Sequence, residues 1–349
     1  MKKNPLGRTG LMVSELCLGT MTFGTQTDRA TAHAQIDRAL GAGINFIDTA
    51  EMYPVNPVSP ETVGRTEEII GDWIAANQGR RGDFVLATKH PGEGSAIRPG
   101  GTPMISSQTI PQAVEGSLKR LKTDVIDLYQ FHWPNRGSYQ FRRNWSYDPS
   151  GQDRADTIAH MEDALGALAR EVDKGNIRHF GLSNESAWGT TMWACVADRT
   201  GGPRPASIQN EYSLLCRLFD TDLAEVAVNE DVGLLAFSPL GAGFLTGKYQ
   251  GGAVPDASRM ALNPEMGGRK SARVFKAVQA YLDLAHEHGV DPVHMALAWA
   301  VRRPFMTSVI FGATTLAQLD HVLAGAGMEL GDDLPGAIDE VHRAHPMPY

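Results

Sequence analysis

Four side chains of different chemistry lie in the first 132 residues: the carboxylate Asp48, the phenol Tyr53, the ammonium Lys89 and the imidazole His132. A free tyrosine titrates near about pH 10, so alone it is a reluctant acid. A neighbouring ammonium favours the phenolate, and a carboxylate holds that ammonium charged and in place. An imidazole can donate a hydrogen bond to an oxygen on which negative charge grows. One of each is equipment for protonating a carbonyl oxygen while hydride arrives at its carbon. The hydride must come from a cofactor, because no side chain delivers one. Taken singly, each residue has a plainer reading: Asp48 as a cap, Lys89 as a solvated strand end, His132 as a satisfied buried ring.

Their common placement turns these residues into a set. Three close a short apolar run, Asp48 after 44–47, Lys89 after 84–88 and His132 after 128–131, and Tyr53 lies five residues past Asp48. Ser183 and Asn184 close 179–182, and Gln209 closes 206–208. The runs predict strands over 14–19, 45–48, 84–89, 125–132, 179–183, 206–209, 233–237 and 307–311. Segments of helical period lie between them, over 28–42, 67–78, 110–121, 158–174, 187–200, 221–229, 272–288, 292–302 and 316–324. Strand–helix alternation implies a parallel sheet, and eight units fit a closed (β/α)8 barrel, a TIM barrel of the α/β class, spanning 1–349 as one domain. A turn at 6–10 predicts an N-terminal hairpin on the barrel floor, and 334–345 an extra C-terminal helix. Three long loops, 91–109, 133–157 and 238–271, follow strands and belong on the face where barrel active sites lie.

Composition narrows the alternatives. The chain has 349 residues, 42% hydrophobic and 21% charged, with net charge −8, which argues against a broad nucleic-acid surface. Cys17, Cys195 and Cys216 are odd in number and widely spaced, so reduced core cysteines in a cytoplasmic protein are expected. No segment reads as a signal peptide or membrane span. No strand is followed by Gly-x-Gly-x-x-Gly, and Tyr249 after Gly247-Lys248 breaks the P-loop pattern. His286 and His288 cannot share a helix face, and no ligand cluster is visible among eleven histidines, so no metal is expected.

The chain resembles the aldo-keto reductases, and within them the Tas-type members. The matching segments run in order over nearly the whole length. They include Leu16-Cys-Leu-Gly-Thr-Met-Thr-Phe-Gly24, Gly43-Ile-Asn-Phe-Ile-Asp-Thr-Ala-Glu-Met-Tyr-Pro54, Asp127-Leu-Tyr-Gln-Phe-His-Trp-Pro134 and Gly181-Leu-Ser-Asn-Glu185. Ser117 to Asp124, Ser238-Pro-Leu240, Thr246-Gly-Lys-Tyr249 and Gly312-Ala-Thr-Thr315 complete the set. The resemblance implies reduction of an aldehyde or ketone with NADP(H), and makes Asp48, Tyr53, Lys89 and His132 a catalytic tetrad with Tyr53 as proton donor. It assigns Ser183, Asn184 and Gln209, with Asp48, to the nicotinamide end, and Phe237 to stacking on its ring. Gly19, Thr20 and Met21 line that pocket. Ser238, Leu240, Gly243 and Lys248 wrap the pyrophosphate, Arg259 contacts the adenosine phosphate, and Gly312, Thr314 and Gln318 hold the adenosine end. Tyr53, His132 and Trp133 face the substrate.

One position departs from the family pattern. His321-Val322 stand where Glu-Asn is usual, so an amide contact to adenine is missing. Some relatives bind NADP(H) as regulatory channel subunits, which keeps a sensor reading beside the enzyme reading; the full tetrad favours the enzyme. The aromatics of 133–157 suit an apolar or ring-bearing carbonyl. Arg136, Arg142 and Arg143 are either solvated or available to an anionic group.

Overall fold

The computed structural model describes residues 1–94 and 101–349. The chain opens with a hairpin, β1 (Lys3–Pro5) and β2 (Met12–Ser14), paired antiparallel. The barrel follows as β3 (Leu16–Gly19), α1 (Arg29–Gly41), β4 (Phe46–Asp48), α2 (Arg65–Ala76), β5 (Val85–His90), α3 (Thr109–Leu121), β6 (Ile126–Phe131) and α4 (Arg154–Asp173). It continues with β7 (Ile177–Ser183), α5 (Ala187–Thr200), β8 (Pro205–Glu211), α6 (Asp222–Glu230), β9 (Gly233–Phe237), α7 (Arg259–Leu262), α8 (Ala272–Glu287), α9 (Pro292–Val301), β10 (Met306–Phe311), α10 (Leu316–Ala324) and α11 (Leu334–Ala344). Strands β3 to β10 are parallel, and β10 pairs with both β9 and β3, closing a (β/α)8 barrel. Among the described residues no helix is long and apolar enough to cross a membrane.

Three differences from the sequence reading have local causes. The strand expected over 14–19 divides at Glu15, whose N–H donates to Lys2 while its carbonyl accepts from Val309, so the chain changes partner there. Helix α4 starts four residues before 158, because Asp153 caps it through the Asp156 N–H and its polar first turn carries no apolar signal. The loop 238–271 contains α7, too short to show a period.

The barrel interior is filled by Cys17, Phe46, Val85, Ala87, Leu128, Ala206, Leu235 and Ile310, with Leu6 and Val13 from the hairpin beneath them. Gly7 turns the hairpin at φ +53°, and a Cβ there would sit 2.4 Å from the Ala206 carbonyl oxygen, so the hairpin presses on the start of β8. Side chains alternate along a strand. The residues two steps past this packed layer therefore rise on the same inner face: Asp48 after Phe46, Lys89 after Ala87, Gln130 after Leu128 and Phe237 after Leu235.

Candidate active site

The strand ends bring Asp48, Lys89, Gln130 and Gln209 into one buried network. The Lys89 ammonium, fully enclosed, donates to Asp48 Oδ2 at 2.6 Å and to the Thr49 carbonyl at 2.7 Å. Asp48 Oδ1 accepts from Gln209 Nε2 at 2.8 Å and from Gln130 Nε2 at 3.1 Å. Gln209 Nε2 also reaches Gln130 Oε1 at 3.1 Å. Tyr53, half-buried on the loop between β4 and α2, lies above this floor. Lys89 Nζ is 4.9 Å from its ring centroid, and the His132 ring meets it edge-on at 5.8 Å between centroids. His132 lies one residue past β6. All four expected catalytic residues thus meet at the C-terminal mouth of the barrel, where the strands present them.

The electrostatics give each group a definite state. Burial works against the Lys89 charge, but Asp48 and Tyr53 outweigh it and hold the amine above its ordinary value. Burial, then the Lys89 charge, pushes His132 well below the usual imidazole value, so the ring is neutral at pH 7. The sequence reading had Lys89 lowering the Tyr53 proton affinity. Lys89 does pull in that direction, but burial is larger and the phenol lies above its ordinary value. Tyr53 therefore carries its proton at neutral pH.

Ser183 and Asn184 lie at the end of β7. Ser183 Oγ donates to the Gln209 carbonyl at 2.8 Å, and Asn184 Nδ2 donates to the His132 carbonyl at 2.8 Å. Asn184 adopts φ 54°, a conformation asparagine tolerates. Its Oδ1 is buried and, among the described residues, has no hydrogen-bond partner. An unmet buried acceptor at this strand end fits the N–H of a carboxamide, as a nicotinamide carries. Gly19 is tight against β10: an added Cβ would lie 2.9 Å from Ile310 Cγ2. The Thr20 hydroxyl donates to the Asp48 carbonyl at 2.8 Å, so it braces the strand end, and Met21 is half-buried beside it.

Residues expected at the phosphates occupy the loop after β9. Ser238, Gly241, Ala242 and Gly243 all have positive φ, a run of tight turns that includes Leu240, and Lys248 lies exposed with Nζ 5.2 Å from the Tyr249 ring. Gly312 follows β10, and Gln318 Oε1 accepts from the N–H and hydroxyl of Thr314 at 2.8 and 3.0 Å, ordering the turn into α10. Arg259 begins α7 and leans toward the mouth, where its charge acts on Tyr53. Its Nε is buried and unpartnered among the described residues. Burial, then Arg269, pushes it down to about 10, and it stays charged at pH 7.

Sequence reasoning missed a second ionic group on this face. Glu211 accepts from Arg269 Nε at 2.7 Å, Arg142 Nη1 at 2.8 Å and the Tyr349 hydroxyl at 2.9 Å. Arg142 is thus neither solvated nor free, and Arg136 pairs with Glu185 through two nitrogens. Glu211 was legible in principle, since it stands two residues from Gln209 on the same face of β8. Trp133 packs beside His132 at 5.0 Å between centroids and donates Nε1 to the Glu93 carbonyl at 3.2 Å. No histidine cluster is visible along the sequence, but in three dimensions, among the described residues, Asp291, His294 and His321 come together where α9 begins beside α10.

Comparison with known proteins agrees with this geometry. The Aldo/keto reductase family model matches residues 15–343. The chain is 43% identical to "Protein tas" of Escherichia coli K12 over 355 aligned residues, covering 100% of this chain and 99% of that protein. It is 32% identical to "Uncharacterized oxidoreductase YrpG" of Bacillus subtilis, covering 98% and 96%. It is also 32% identical to "Probable voltage-gated potassium channel subunit beta" of Arabidopsis thaliana, covering 92% and 90%. The chain belongs to the aldo/keto reductase family, whose members are oxidoreductases that generally use nicotinamide cofactors.

Proposed function

We propose that this chain reduces an aldehyde or ketone to the alcohol with NADPH, Tyr53 acting as the general acid. The observation that carries this reading is the enclosed Lys89 ammonium, held by Asp48 on one side and set against the Tyr53 phenol on the other, with His132 at its edge. When bound, the reduced nicotinamide supplies the hydride. Asn184, Ser183 and Gln209 would hold its carboxamide and Phe237 its ring. The neutral His132 orients the carbonyl oxygen and donates a hydrogen bond as charge builds there. Tyr53 gives its proton to that oxygen, and the resulting phenolate is stabilised by Lys89. Asp48, Gln130 and Gln209 keep the ammonium in position. Trp133 forms a wall for an apolar substrate, and Arg259 and Lys248 favour the phosphate-bearing cofactor.

The test is loss of reduced-nicotinamide absorbance with a reactive aromatic aldehyde. Tyr53→Phe should lose about 10²- to 10⁴-fold in kcat while still binding cofactor. Turnover unchanged in Tyr53→Phe would refute the acid assignment. A second reading draws on the relatives from Arabidopsis thaliana and rice named as probable channel subunits. On that reading the cofactor binds tightly and no aldehyde turns it over, so the same assay separates the two.

A further inference from the structure

Asp291, His294 and His321 meet where α9 begins and α10 passes beside it. One ring nitrogen of each histidine and one carboxylate oxygen all lie within 4.8 Å of one another. We propose that these three residues form a binding site for a divalent transition-metal ion of the zinc class, with water as its remaining ligand. Imidazole and carboxylate together suit zinc, cobalt or nickel. Zinc holds such ligands at about 2.0–2.2 Å, which sets them roughly 3.3 Å apart in a tetrahedron. Closing the observed triangle takes shifts of about an ångström, within reach of side-chain rotation.

The surroundings already prepare two of the ligands. His294 Nε2 lies 2.7 Å from the His321 carbonyl oxygen, which can only accept, so Nε2 carries the hydrogen and Nδ1 keeps the lone pair. An outer hydrogen bond of this kind fixes the tautomer and orientation of histidine ligands. The ring is also fixed sterically: a Cβ at Gly325 would fall 2.3 Å from His294 Cδ2. Asp291 Oδ1 is committed to capping α9, accepting from the N–H groups of Val293 and His294 at 2.8 and 3.1 Å. Oδ2 remains, and it accepts from His321 Nε2 at 2.9 Å. A metal would replace the proton in that contact.

The position coincides with the departure from the family pattern. His321 stands where Glu is usual, beside Val322 at the missing amide, and its side chain is turned to Asp291. It is carried on α10, the helix that starts at the Thr314–Gln318 turn.

The experiment uses the whole chain in a Cys195→Ser background, because Cys195 is an exposed thiol that would compete for metal. After chelator treatment the protein is titrated with Co²⁺, followed by visible absorption, and then with Zn²⁺ by calorimetry. One Co²⁺ per chain, displaced by one Zn²⁺, is expected. His321→Gln, an exposed substitution, and His294→Ala should each weaken Zn²⁺ at least about tenfold. Asp291→Ser keeps a capping oxygen while removing the ligand, and should do the same with its metal-free melting temperature preserved. Absence of stoichiometric binding, or equal binding by parent and the His294→Ala/His321→Gln double variant, would overturn the proposal.

Discussion

Replacing Lys89 by methionine keeps most of its length and removes its charge. In the parent, the ammonium has two short contacts, to Asp48 Oδ2 at 2.6 Å and the Thr49 carbonyl at 2.7 Å, and none of its surface reaches solvent. In Lys89→Met, Asp48 keeps only the two amide donors on Oδ1, and Oδ2 faces a thioether. Breaking a buried ion pair by removing one member costs about 3–5 kcal/mol, because the remaining charge is uncompensated. Asp48→Asn/Lys89→Met removes both charges. Buried pairs and neutral replacements of similar shape come out nearly even, so the double variant should lie within about 2 kcal/mol of the parent. Urea unfolding followed by tryptophan fluorescence gives the stabilities, and nicotinamide absorbance gives the activities. Both variants should be at least about 100-fold slower, because the phenolate loses its counter-charge. Stability and activity then separate: the second substitution restores one and not the other. A Lys89→Met protein as stable as the parent, or a double variant no more stable than Lys89→Met, would refute this account of the network.

Arg259→Ala should raise KM for NADPH about 10- to 100-fold, the worth of one charge-assisted hydrogen bond to phosphate, and change KM for NADH less than threefold; equal effects on both would remove the phosphate assignment. Glu211→Gln leaves Arg142 and Arg269 in the mouth without their shared carboxylate, and should destabilise the protein by about 3–5 kcal/mol in the same urea assay. His132, His160, His179 and His342 are all held below the ordinary imidazole value, burial being the leading cause in each. Below about pH 6.5 the unfolded chain takes up protons that the folded one refuses, so stability is full above that pH and falls as pH drops. The urea midpoint should decline steadily from pH 7 to pH 5, with His132, the ring held furthest down, contributing most; a flat midpoint over that range would contradict the burial of these rings.

The sequence made the barrel legible wherever a capping side chain stood directly before an apolar period. Ser186, Ser271, Asp291 and Thr315 each accept a hydrogen bond from the first turn that follows, and α5, α8, α9 and α10 begin where expected. Asp48, Lys89 and His132 were legible as candidates for a related reason: a polar residue closing an apolar run stands out against it. Gln130 did not, because it lies inside its run with Phe131 after it. The Glu211 group was hidden differently. Its members come from 142, 211, 269 and 349, and no local pattern links positions so far apart. Asp291 and His294 share a helix start, but their meeting with His321 depends on how α9 and α10 pack.

The hairpin β1–β2 contributes no reactive group, yet the dryness of the chemistry above depends on it. Leu6 and Val13 seal the bottom of the barrel, and Cys17 and Phe46 rest on them. Asp48 lies one layer higher, its carboxylate shared between an ammonium and two amides. Removing residues 1–14 would bare the underside of that packed layer to water and leave one layer of side chains between solvent and the carboxylate. The hairpin thus doubles the apolar barrier below the buried ion pair without touching the mouth.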